Sequence, residues 1–369
     1  MKDLGNYECE GQMDIFGFLD DVPKPYKITK PIRLIELFAG IGAQAEALKR
    51  LTDFEHYKIS EWEVHACASY HKMHMRDDNT DYSAAYTDKE LINLLDHIGV
   101  SVDGKKPLSK TKLKGRGEKW HRKVYNDFMA THNLGSITNL GGDDLGIIDT
   151  DKYTYILTYS FPCQDLSVAG KQKGMSKGSG TRSGLLWEVE RLLHECKELP
   201  EILLMENVPN VHGKANIADF ESWIKSLEDL GYTNFWQDLN AKNYGVAQNR
   251  NRTFMVSILQ QNVTYKFPKP FPLTKTMKDY LEDNVDEKYY INSDKAKLLI
   301  DNLIENGTLA DRQTDRQTDR QTDRQTDRQT VDYSLKNAGA TPIANCICAR
   351  YDAGVTDRAH EGSCVVEPK

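Results

Sequence analysis

The sequence has no long apolar run. No window approaches the ~20 consecutive apolar residues of a membrane-spanning helix, and the opening MKDLGNYECEGQMD is acidic where a secretory leader is basic and then apolar. A cytoplasmic location is the expectation. Paired cysteines are also missing: the seven are odd in number and scattered without metal-ligand spacing. That fits reduced thiols better than a disulfide framework or a zinc site, and no metal is predicted. Nor is there a surplus of positive charge. The formal net charge is −7, so the whole molecule does not advertise a polyanion as its partner. Basic character is local, in KKPLSKTKLKGRGEKWHRK from Lys105 to Lys123. It reads either as a solvated surface loop or as a contact for backbone phosphates.

What is present is ordinary globular material, 39% hydrophobic and 28% charged over 369 residues, enough for one main domain and a smaller lobe. Residues 1–30, rich in Gly, Asp and Pro, read as an irregular arm. IRLIELFAGIGAQAEAL then gives strand, glycine turn and helix, and HYKISEWE a second strand. YTYILTYSF, EILLMENV and RTFMVSIL are further strands, separated by the helical patterns GLLWEVERLLHEC and ADFESWIKSLEDLG. This alternation predicts a doubly wound α/β sheet across 31–266, with ligands at the C-terminal ends of its strands. A basic insertion occupies about 76–130. From Phe267 to residue 369 the pattern breaks into short mixed segments, a candidate second lobe.

Four strings carry chemistry. In ELFAGIG, Gly40 and Gly42 let the backbone turn closely around a bound group at a helix N-terminus. Glu61, at the end of the second strand, suits a ribose diol, and the neighbouring Trp62 suits an adenine face. In SFPCQDLSVAGKQKG, Cys163 follows a strand and precedes a glycine- and lysine-bearing loop, a setting for a reactive thiolate. In LLMENVPNV, Glu206 ends a strand and can share a proton with a ring nitrogen. Finally, NYGVAQNRNRTFMVSI opens a strand with Gln248, Arg250 and Arg252 at alternate positions, which predicts three side chains on one face. The glycine loop alone also fits an NAD-dependent oxidoreductase, but that reading gives Cys163, Glu206 and the arginines no joint role.

FAGIG, SEW, FPCQ, ENV and QNRNR, in this order across residues 32 to 260, resemble the DNA cytosine-5 methyltransferase family. The resemblance implies a Rossmann-like S-adenosylmethionine-dependent methyltransferase domain with a smaller, mixed target-recognition lobe, here partial, at 267–369. Its partner is duplex DNA, from which a cytosine is flipped. By analogy Phe38, Gly40 and Gly42 serve the methionine side of the cofactor, Glu61 the ribose and Trp62 the adenine. Ser136 and Ile137 fall in the adenine-binding loop, where Ser136 replaces the family's usual Asp. Pro162 and Leu185, the latter in TRSGLLWEV, would complete the pocket wall. Cys163 would add to C6 of cytosine, Glu206 would supply the proton at N3 and Arg252 would hold O2. Gln164, Ser167, Gln248 and Arg250 would contact substrate or DNA, and Lys171 to Lys177 would add positive surface. A role beside a cognate restriction endonuclease is implied. The family's C-terminal Gly-Asn motif is not found after Val331, which predicts a gap beside the first strand. A catalytically silent DNA-binding relative and an RNA cytosine-5 methyltransferase are the alternatives.

Residues 311–330 are five copies of DRQT. Repeated in frame, the tetranucleotide GACA encodes Asp-Arg-Gln-Thr, so the repeat points to a slippable tract in the gene and to phase-variable expression of the recognition lobe's end. As protein, each copy carries one charge of each sign and nothing with which to build a core.

Overall fold

The computed structural model describes residues 23–166 and 173–280, together with 286, 294, 298, 301, 302, 305, 344 and 345. Most of the arm at 1–30, Ser167, Lys171 and the DRQT repeat lie outside the described residues. The chain divides into two compact units, one of Met1–Gln237 with Thr253–Phe267 and one of Asp238–Arg252 with Pro268–Lys369.

The first unit is organised by a six-stranded sheet. Its strands are β2 (Ile32–Leu37), β3 (Glu55–Ser60), β4 (Thr154–Tyr159), β5 (Ile202–Asn207), β6 (Thr233–Asn240) and β8 (Asn251–Ile258), in the order β3-β2-β4-β5-β8-β6. A short strand β1 (Lys24–Pro25) pairs with β9 (Val263–Thr264) apart from this sheet. β2 pairs in parallel with β3 on one side and β4 on the other, so the winding direction reverses between β2 and β4. A crevice opens at such a reversal because the two flanking loops leave in opposite directions.

Alternation along the strands buries both faces. Ile35, Leu37, Tyr155, Leu157 and Met205 face one core, packed against α6 (Leu186–Glu195) and α7 (Ile217–Asp229) through Val189, Leu192, Phe220 and Trp223. Ile32, Leu34 and Ile156 face the other, against Ala45 of α1 (Ala43–Lys49). Such two-sided burial makes these strands near-continuous apolar runs.

Two features depart from the sequence reading. β8 runs antiparallel to β5, Glu206 opposite Phe254, so the parallel run ends there. And β6, TNFWQDLN, is a strand that the sequence reading does not contain.

The insertion is helical rather than a surface loop. After α2 (Val64–His74) come α3 (Asp88–Ile98), α4 (Lys110–Lys114) and α5 (Glu118–Ala130). Leu91, Leu95, Val100, Leu113 and Phe128 bury against Val64 and Cys67 to form a separate small core. α3 begins with a capping box, Thr87 Oγ1 accepting from Glu90 N–H while Thr87 N–H donates to the Glu90 carboxylate, and ends at Gly99 with φ of +76°. Inside the basic run, His121 is fully buried. Its Nδ1 is 2.6 Å from Asp88 Oδ1 and its Nε2 2.8 Å from Leu113 O, which pins α4 to α5.

In the second unit, β7 (Gln248–Asn249) pairs in parallel with β10 (Ala344–Asn345). Tyr244 stacks edge-on to Phe271 and donates from its hydroxyl to Pro268 O.

Candidate active site

The crevice at the reversal is a cleft of about 310 Å³ in the first unit, at the small end of the range for ligand pockets, roughly 300–1,000 Å³. The ends of β2, β3 and β4 each deliver part of its wall. Phe38 follows β2 with φ of +57°, a left-handed conformation that costs a non-glycine residue about 1–3 kcal/mol and persists only where the surroundings enforce it. Glu61 and Trp62 follow β3, Pro162 and Gln164 follow β4, and Ser136, Ile137 and Leu185 belong to the lining too.

Glu61 is placed by backbone groups. Its Oε2 accepts from Gly40 N–H at 2.9 Å and its Oε1 from Glu63 N–H at 2.8 Å. Each oxygen keeps a second lone pair, so both can still accept hydroxyls. Burial pushes its carboxyl pKa up, against the lowering effect of these N–H groups. Asn133, 4% exposed, fixes this segment to the next: its Oδ1 accepts from Glu61 N–H and Gly135 N–H, and its Nδ2 donates to Glu61 O. No motif in the sequence marks Asn133. Ser136 is held by its hydroxyl 2.9 Å from that of Thr138, which also lines the cleft.

The two glycines of the loop are not cleft-lining residues. Gly40 spends its N–H on Glu61. A Cβ at Gly42 would lie 2.3 Å from His74 Nε2 and 2.7 Å from Tyr70 Cε2, so Gly42 is required by the close approach of α2. His74 Nε2–H donates to Ile41 O at 3.0 Å, and Tyr70 donates to buried Glu36, whose other oxygen accepts from Ala45 N–H. The glycine loop is thus gripped from behind.

Cys163 is half-buried and follows Pro162 directly. Its loop is fastened to the cleft wall by three hydrogen bonds. Ser183 Oγ donates to Pro162 O at 2.6 Å, Arg182 N–H to Asp165 Oδ2 at 2.9 Å, and Arg182 Nη1 to Gln164 Oε1 at 2.6 Å. Glu206, half-buried, leaves the adjacent strand one residue before Asn207, whose Nδ2 donates to Phe161 O and ties the two strand ends together. Cys163 and Glu206 are therefore carried to the same edge of the sheet. Thr181 and Arg182, the first residues of TRSGLLWEV, line the cleft as well, as do Gly104 and Lys105 from the insertion; spacing in the sequence gives no signal for the last two.

Gln248, Arg250 and Arg252 belong to the second unit. They are not a single strand-face row. Arg250 lies between β7 and β8, its N–H donating to Gln248 O at 2.9 Å and its carbonyl accepting from Ala241 N–H. That tight local turn breaks the extended run on which the alternation depends. In the basic stretch, Lys110, Arg122 and Lys123 are paired with Asp96, Glu118 and Asp127, and Lys177 is paired with Glu190. Among the described residues there is no group of three His, Cys, Asp or Glu side chains placed to hold a metal ion, and no helix long and apolar enough to cross a membrane.

Comparison with known proteins gives one answer. The family described as C-5 cytosine-specific DNA methylase matches residues 109–356. The orphan methyltransferase M.SssI of Spiroplasma monobiae is 39% identical over 273 residues, 72% of this chain and 68% of that protein. The Type II methyltransferase M2.ScrFI of Lactococcus lactis subsp. cremoris is 38% identical over 269 residues, 72% of this chain and 71% of that one. Among solved structures, the S. pombe Dnmt2 methyltransferase aligns with 72% of this chain and 64% of its own at 18% identity, with a TM-score of 0.45. With the family match and these relatives in agreement, the chain belongs to the C-5 cytosine-specific DNA methylases and is a DNA cytosine-5 methyltransferase that uses S-adenosylmethionine as methyl donor.

Proposed function

We propose that the cleft between β2 and β4 holds S-adenosylmethionine and that Cys163 acts as a covalent nucleophile on a cytosine flipped out of duplex DNA. The observation that supports this most is adjacency: Pro162 lines the cleft and the next residue is Cys163. The residues present suit the cofactor. Glu61 offers acceptors for two hydroxyls, Trp62 offers a flat aromatic face, and Ile137, Phe38 and Leu185 offer apolar surface. When bound, S-adenosylmethionine supplies an electrophilic methyl group.

C5 of cytosine is a poor nucleophile, and the chain's task is to change that. Addition of the Cys163 thiolate to C6 forms an S–C6 bond and pushes the ring's electrons toward N3 and O2, leaving C5 enamine-like. Glu206 donates a proton at N3 as that charge develops, and Arg252 neutralises O2. After methylation, loss of the C5 proton lets the C–S bond break, returning the thiolate and releasing 5-methylcytosine. Gln164, Ser167, Gln248 and Arg250 serve the DNA around the base. A duplex containing 5-fluorocytosine, which cannot lose the C5 substituent as a proton, should trap a covalent adduct in the presence of cofactor. Cys163→Ser should abolish the adduct, and an adduct that survives the substitution removes Cys163 from the mechanism.

The biological setting in this reading is modification within a restriction system, with the DRQT tract as a switch on expression. One relative carries the name Type II methyltransferase and another the name orphan methyltransferase, so the endonuclease partner has its own test. Deletion of this gene should be lethal only while a neighbouring nuclease gene is intact. For the switch, gain or loss of one four-nucleotide unit shifts the reading frame. A copy number constant across many independent cultures, or codons that vary among the copies, would end that idea.

A further inference from the structure

The turn at 101–106 belongs to the helical insertion, yet it brings Gly104 and Lys105 into the cleft wall. It is firmly built. Ser101 N–H donates to Trp62 O at 2.7 Å, and Ser101 O accepts from Val64 N–H at 2.9 Å. Within the turn, Ser101 Oγ donates to Lys106 O at 2.8 Å, and Asp103 Oδ1 accepts from Lys105 N–H at 2.9 Å. Gly104, with φ of +59°, makes the reversal. The turn is therefore riveted to the stretch that bears Glu61 and Trp62, and Lys105 shares their part of the wall.

The chemistry there is specific. Ser136 lines the cleft with a hydroxyl that is shared with Thr138. Glu61, the cleft's carboxylate, is already engaged by two N–H groups. A cation here would oppose the sulfonium or the ammonium of S-adenosylmethionine. The neutral ring nitrogens of adenine, by contrast, are acceptors in need of a donor, and an ammonium is donor only.

We propose that Lys105 is a cofactor-binding residue that donates to a ring nitrogen of the adenine, carried into the site by the insertion. This rests on the cleft being the cofactor site.

The test is equilibrium binding of S-adenosylhomocysteine and of adenosine to the full chain without DNA, for the wild type, Lys105→Met, Lys105→Arg and Glu61→Gln. Lys105→Met should weaken both ligands by the same factor, about tenfold for a lost charged hydrogen bond, with an unaltered thermal midpoint. Lys105→Arg should restore most of the affinity. If Glu61→Gln weakens binding and Lys105→Met does not, the proposal fails while the cleft remains the cofactor site. If neither substitution matters, the cleft reading itself fails. Weakening of S-adenosylhomocysteine but not adenosine moves the contact to the amino-acid carboxylate and overturns the adenine assignment.

Discussion

Glu36, penultimate in β2, is 1% exposed, and burial pushes its carboxyl up to about 7 despite hydrogen bonds from Tyr70 and Ala45. Its unfolded value is about 4.3. A group raised in this way contributes stability in full below the unfolded value and loses it as pH climbs through the folded one. Glu36→Gln cannot ionise, so its stability relative to the wild type should rise between about pH 4.3 and 7 by about 4 kcal/mol and then level off. Urea midpoints of the two proteins across that window check this, and a gap independent of pH would refute it. His56 is pushed down to about 4, first by its burial and then by His74, Lys49 and His132. It acts with the opposite sign, and because its Nδ1 lies 3.0 Å from the Tyr70 hydroxyl that donates to Glu36, the same comparison in a His56→Ala background separates the two. At this scale the sequence was most legible where chemistry and chain reversal coincide. FAGIG, FPCQ and ENV each end a strand, and a strand end is marked locally by Gly, Pro or Asn. Asn133 and Lys105 were not legible, because what places them is contact with residues some 40 to 70 positions away.

Elements were readable where apolar periodicity is strong. TYILTY is buried at every position and could only be a central strand. TNFWQDLN was missed because three consecutive residues, Trp236 to Asp238, are exposed, so its period is faint. The helices of the insertion hid behind their charge: in KTKLK only Leu113 is buried, and in α5 the apolar stripe is interrupted by the buried polar residues His121 and Asp127. Removing the cap of α3 with Thr87→Ala should lower stability by about 1 kcal/mol. Hydrogen exchange should quicken across Asp88–Ile98 and leave Thr154–Tyr159 unchanged. Equal acceleration in both would mean that the insertion does not open separately from the sheet.

For the whole molecule, a net charge of −7 means that DNA must be met by a local field rather than a global one. Lys112 and Lys114 are exposed on the basic helix α4. If they face phosphates, Lys112→Glu with Lys114→Glu should weaken DNA binding for all sequences alike. It should also flatten the plot of log affinity against log salt by about 2, near 0.9 for each lost contact. An unaltered slope returns the stretch to solvent. The three hydrogen bonds from Arg182 and Ser183 to the Cys163 loop have a consequence of another kind. One wall of the cleft and the segment meant to reach the base are a single fastened piece. Whatever rearrangement one ligand imposes on that piece is felt by the other, and thermodynamic reciprocity then requires equality. The factor by which cofactor changes the affinity for DNA is the factor by which DNA changes the affinity for cofactor, whichever arrives first.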